Sequence, residues 1–186
     1  MFQRIRNAIR GPHHIPTPGA LVVDGTTLVL SCDDTSATTK LRINGKREAY
    51  SSTMWTGEAN CKLIDGKLDF LVLCDSPTPP ESIVARVRGM VDYPNSMKRE
   101  LNDAVFAYFN DLRTQHAVDF SAVLPVWSFD GVIDTLRLPS VLINEPLGGE
   151  TPRVDYLISF STELDEEHGV DVSIYDWTVT GCGCLV

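Results

Sequence analysis

The chain predicts an α+β fold, an antiparallel sheet with two central helices packed on one face. Three observations predict it. Strand-like runs come first, over 21–74; two helical patterns stand together over 81–113; strand-like alternation returns after 140. A doubly wound fold would need alternating strand and helix units, and the sequence has none. The organisation expected is a basic extension and linker at 1–20, followed by a single α+β domain at 21–186.

Phe2, Ile5 and Ile9 fall at helical spacing among Arg4, Arg6 and Arg10. Ten residues are marginal for a membrane-surface helix, so a frayed or docked segment is favoured. Residues 11–19 hold three prolines and read as an extended linker. His13 and His14 lie in it, and an adjacent pair in such a segment rarely builds a metal site.

Residues 21–30 read as a hairpin around Asp24-Gly25, a type I′ signal. Residues 31–40 read as a polar loop, and Leu41-Arg42-Ile43 as a short strand closed by Asn44-Gly45. The clearest hairpin joins 58–64 to 67–74 through Asp65-Gly66. A two-residue loop sets Ile64 opposite Lys67 and Cys61 opposite Phe70. Ala59, Cys61, Leu63, Leu68, Phe70, Val72 and Cys74 then share one face, which must be core. Cys61 and Cys74 lie about four strand positions apart, roughly 13 Å, too far for a disulfide.

Thr78-Pro79-Pro80-Glu81 reads as a capping box with Thr78 as N-cap. Ile83, Val84, Val87 and Val91 form the first helical stripe, which Pro94 interrupts. A second helix is expected over 96–113, with Leu101, Ala104, Val105, Tyr108 and Leu112 on one side. Ser128 caps a short helix running toward Leu136, and 140–144 reads as a strand. Residues 147–152 are Gly-rich but lack the lysine and helix of a phosphate loop, so they carry no nucleotide role. Tyr156, Ile158 and Phe160 alternate, as do Val170, Val172 and Ile174, and Trp177 to Thr180 makes a last strand.

The net charge of −9 argues against a nucleic-acid partner, since phosphate contacts need a basic surface. Residues 1–14 are basic, so the acidity belongs to the body; it keeps the protein soluble and would suit a basic partner. Five cysteines are an odd count that does not suit a secreted disulfide framework. No apolar run approaches the ~20 residues of a membrane span. A reducing cytoplasm is the expected location.

The densest group of chemical side chains is Asp165-Glu166-Glu167-His168-Gly169. Asp165, Glu167 and His168 could hold a metal or pair as acid and base. The favoured reading is a hairpin connection, with a turn over 164–168 and Gly169 left-handed in a bulge. Three metal ligands within five residues are awkward, because alternate residues point apart. Cys182-Gly183-Cys184 would make half a zinc site with nothing evident to complete it, so no cofactor or metal is expected. Trp55 is expected to cover a sheet end beside Gly57, and His116 to complement the second helix's dipole. No Gly-x-Ser-x-Gly or His-Glu-x-x-His motif supports an enzyme.

The chain resembles an uncharacterised bacterial domain family that carries Trp-x-Gly before an early hairpin, a helical middle, and Asp-x-Glu-His-Gly near the end. The matching residues are Trp55-Thr56-Gly57, the helices within 81–113, and Asp165-Glu166-Glu167-His168-Gly169, with the last strand ending at Thr180-Gly181. The resemblance spans 54–183. It implies an α+β domain without an assigned reaction; some similar small acidic domains lie beside polymorphic toxins and are suspected immunity proteins. Two functions emerge. The first is a non-enzymatic protein-binding module, of which an immunity-type inhibitor of a basic toxin is one form. The second is a metal-dependent hydrolase using Asp165, Glu167 and His168. The contact candidates are Asp165, Glu167, His168 and Trp55.

Overall fold

A computed structural model describes residues 20–23, 28–34, 38–43, 46–51, 53–64, 66–74, 79–92, 95–144 and 154–184. Within these, side chains are described from Met54 onward, apart from Asn95 and Ser96. The expected N-terminal helix, the linker with its histidine pair, Thr78 and the Gly-rich loop lie outside the described residues.

The fold is α+β. Ten strands are described: β1 (Ala20–Val23), β2 (Leu28–Asp34), β3 (Thr38–Ile43), β4 (Lys46–Ser51), β5 (Thr53–Cys61), β6 (Gly66–Cys74), β7 (Leu136–Asn144), β8 (Tyr156–Thr162), β9 (Asp165–Tyr175) and β10 (Thr178–Gly183). Three helices, α1 (Glu81–Val91), α2 (Asn95–Gln115) and α3 (Phe129–Ile133), stand between β6 and β7. Eight strands form one sheet in the order β1-β2-β5-β6-β7-β8-β9-β10, and β3 pairs with β4 in a second, two-stranded sheet.

The sheet is mostly antiparallel, with one exception. β6 and β7 run parallel, Phe70 opposite Val141 and Val72 opposite Ile143. Parallel neighbours cannot be joined by a tight turn and need a long crossover. The helical middle is that crossover, which the simple order of strands and helices did not reveal. The loop expected over 31–40 is also corrected: residues 28–34 and 38–43 are strands, and β4 was not foreseen at all. The first hairpin pairs Val23 with Leu28, so four residues rather than two join its strands.

The β5–β6 hairpin shows why strand period matters more than turn type. Cys61 pairs with Gly66 and Ala59 with Leu68, a register four residues away from the two-residue turn. An even slip leaves every side chain on its expected face. Ala59, Cys61, Leu63, Leu68, Phe70, Val72 and Cys74 are therefore all buried in the core. Cys61 and Cys74 move further apart, eight residues or roughly 26 Å along β6, and no disulfide joins them.

Helix α1 begins two residues later than the capping-box reading. Its N-cap is Pro80, whose carbonyl accepts from Ile83 and Val84 without a side-chain cap. Ile83, Val87 and Met90 are its buried stripe. Each such side chain contributes about 1.5–3 kcal/mol by leaving water. Helix α2 buries Met97, Leu101, Val105 and Phe109. Phe109 was missing from the expected stripe, although it stands one helical turn beyond Val105. It meets Phe120 edge-on at 5.8 Å, and Phe120 stacks on Trp127 at 5.5 Å. Helix α3 has Ser128 as its N-cap, accepting from the Gly131 amide, but ends at Ile133.

Candidate functional site

The acidic pentapeptide is a bulge within β9, not a free turn. The connection from β8 is Glu163-Leu164, since Thr162 pairs with Asp165. The next described pair is Phe160 with Val170. One residue of β8, Ser161, therefore faces four residues of β9, 166–169. Three residues in excess cannot lie in a ladder, so the segment must arch out of it.

Two features fix the arch. Gly169 has φ +73°, and a Cβ there would lie 2.3 Å from the Phe160 carbonyl oxygen. Only glycine tolerates both the left-handed backbone and that approach. At the other end, Asp165 Oδ1 accepts the His168 amide at 3.0 Å and lies 3.2 Å from His168 Nδ1. A carboxylate can only accept, so this bond assigns a proton to Nδ1. Asp165 is thus turned into the arch, while Glu166 and Glu167 are exposed and His168 is part-buried.

The β8–β9 connection is tied to α3 by a directional chain. Thr135 donates to the Val132 carbonyl at 2.7 Å, so Thr162 donates to Thr135 at 2.8 Å and accepts from the Leu164 amide at 3.2 Å. Both threonines are buried.

Beside the arch lies a cleft of about 250 Å³, lined by Glu166, Glu167, His168, Ser159, Ser140 and Leu71, with Asp69, Ser161 and Leu138 at it as well. Its floor follows from strand pairing. Asp69 stands opposite Ser140, Ser140 opposite Ser159, and Ser159 opposite Asp171. Residues opposite one another share a face, so these polar residues form one row across four strands. They alternate with Phe70, Val141, Ile158 and Val172, which belong to the core cluster. Leu138 is held out at the bulge between Arg137 and Ser140 with φ +46° and 78% exposure.

The hydroxyls are arranged unequally. Ser140 donates to the Ser159 carbonyl at 3.5 Å, and Ser161 to the Arg137 carbonyl at 3.2 Å. Ser159 is 6% exposed, and its hydroxyl has no partner among the described residues. Among the described residues, no lysine or arginine lines the cleft.

Asp165 and His168 touch, Glu167 reaches the cleft, and no group of three or more potential ligands is placed to hold a metal ion among the described residues. Trp55 is elsewhere. It lies mid-strand in β5 between Cys32 and Val72, buried in the core rather than covering a sheet end, and its indole N–H finds no acceptor among the described residues. His116 is exposed after α2, 3.7 Å from Asp111. Cys182 is part-buried, and burial first, then the Asp171 carboxylate, pushes its thiol up to about 12.

Ser140, Ser159, Ser161 and Asp69 were not singled out from sequence. The available signal was small polar residues at the alternate positions of apolar strands, where a solvated face usually carries longer charged side chains.

No helix among the described residues is long and apolar enough to cross a membrane. No curated protein and no solved structure matches the chain. The model of the family described as "Domain of unknown function (DUF6985)" matches residues 45–184, from the β3–β4 connection to the end of β10, and the chain belongs to that family.

Proposed function

We propose that this protein is a non-enzymatic protein-binding module whose acidic arch and cleft receive a basic partner. The observation that carries this is the arch itself: Glu166 and Glu167 are presented to solvent by a backbone fixed at Asp165 and Gly169. A fixed loop loses little conformational freedom on binding, so its charges can be spent on recognition. The body's net negative charge supports the same sign of partner, because complementary fields speed encounter and reject like-charged competitors. A basic toxin held inactive by an immunity-type inhibitor is one such partner. The balance of charge likewise speaks for protein over nucleic acid.

The same reading puts α1 and α2 together on the sheet face opposite the cleft. Ile83, Val87, Leu101 and Val105 share a cluster with Phe70, Val72, Val141 and Val172, the alternates of the cleft residues, which supports that arrangement. The lack of a disulfide among the described cysteines is in keeping with a reducing cytoplasm.

The test is affinity capture from the native host with the full chain and with a Glu166→Lys/Glu167→Lys variant. The expected result is a basic protein recovered in stoichiometric amount by the wild type and lost by the variant. If the neighbouring gene encodes a toxin, co-expression with the wild type rescues growth and the variant does not. Identical recovery by both chains would refute the reading.

A further inference from the structure

Among the described residues, the cleft is rich in oxygen acceptors and poor in donors. Ser140 and Ser161 spend their hydroxyl protons on backbone carbonyls, which leaves their lone pairs available. Ser159 is buried at the floor of the same opening with no partner among the described residues, a state that native proteins seldom keep without a reason. Its hydroxyl can donate as well as accept. The carboxylates of Asp69, Glu166 and Glu167 at the same opening repel any anion that would take its proton. Lys67, whose ammonium feels Asp69, is already engaged by Glu58. A cation carrying several N–H donors would meet these lone pairs and carboxylates together.

Shape narrows the choice. The acceptors come from neighbouring strands about 4.8 Å apart and from the arch above them, so they are spread rather than gathered at a point. Leu71 and the outward-held Leu138 add apolar surface. An ammonium is compact and strongly hydrated; a guanidinium is planar, weakly hydrated and presents five donors in a fork. We infer that the cleft takes a guanidinium, supplied as an arginine side chain of the basic partner. This rests on the binding-module reading and assigns the residue that the module recognises.

The test is a titration of ¹⁵N-labelled full chain with Nα-acetyl-arginine methylamide and, separately, with its lysine counterpart. The arginine compound should give saturable amide shifts at Ser140, Ser159, Ser161 and 166–169, about fivefold or more tighter than the lysine compound. Ser159→Ala should weaken it about threefold or more, and Asp69→Asn, at an exposed strand position, should do likewise. Absence of saturable shifts, shifts confined to other surfaces, or equal affinity for the lysine compound would overturn the inference. If the arginine compound fails while partner capture still depends on Glu166 and Glu167, only this inference falls. If both fail, the module reading falls with it.

Discussion

Replacing Gly169 by alanine asks whether the arch depends on a single backbone position. Two costs add. The residue has φ +73°, where an L side chain loses about 1–2 kcal/mol. The new Cβ would start 2.3 Å from the Phe160 carbonyl oxygen, a backbone atom that cannot swing away as a side chain would. Forced overpacking of this kind costs about 1–3 kcal/mol. The expected loss is about 3 kcal/mol, a drop of roughly 6–12 °C in midpoint for a chain of this size. Urea unfolding of Gly169→Ala beside Gly66→Ala gives the measurement. At Gly66 a Cβ would meet, among the described residues, only the Ile64 carbonyl at 3.7 Å, so that control should stay within about 0.5 kcal/mol of wild type. Relief of the strain by opening the arch would also move Glu166 and Glu167, so partner binding should fall even well below the midpoint. A loss under about 0.5 kcal/mol at Gly169 would refute the reasoning.

At Gly89 a Cβ would meet the Trp177 ring at 2.9 Å and the Tyr156 hydroxyl at 3.2 Å, so Gly89→Ala should lose about 1–2 kcal/mol despite alanine's better helix propensity. The same change in a Trp177→Leu background should be neutral or stabilising by urea midpoint. Ala117 closes α2 with φ +53° while the Val118 amide bonds the Leu112 carbonyl, so Ala117→Gly should raise stability by about 1 kcal/mol in the same assay. The Cys182 thiol is held up to about 12 from 9.0 by burial and then by Asp171. Because the folded value is the higher one, this contribution is complete below pH 9 and lost as pH climbs toward 12. Urea midpoints should therefore fall more steeply above pH 9 in wild type than in Cys182→Ala, and parallel curves would contradict the assignment.

The sequence was most legible where one period ran unopposed. The alternation through Cys61, Leu63, Leu68 and Phe70 identified a core face even though the turn was misjudged, because a slip of four preserves strand parity. The Ser128 cap and the stripe of Ile83 and Val87 were equally plain. Parallel pairing of β6 with β7 was hidden, since nothing local distinguishes a crossover from two helices between antiparallel strands. The strand stretches at 31–34 and 38–40 were hidden beneath Ser, Asp and Thr, residues that also favour loops.

The site was half legible. Gly169 and Asp165 disclosed a constrained backbone, because a left-handed glycine and a short carboxylate have few other uses beside a strand. The cleft beneath it was not legible. Ser140, Ser159 and Asp69 meet only through the pairing of three strands, and the serines read singly as ordinary polar alternates. Trp55 drew attention through the Trp-x-Gly motif ahead of the hairpin and proved to be core.

The most direct test is the association rate of the captured basic partner with wild type and with Glu166→Lys/Glu167→Lys at low and high salt. Steering by the arch predicts at least about tenfold slower association for the variant at 50 mM salt, a gap that narrows at 500 mM as screening shortens the reach of charge. Equal rates at both salt concentrations would contradict an acidic arch that recognises a basic protein.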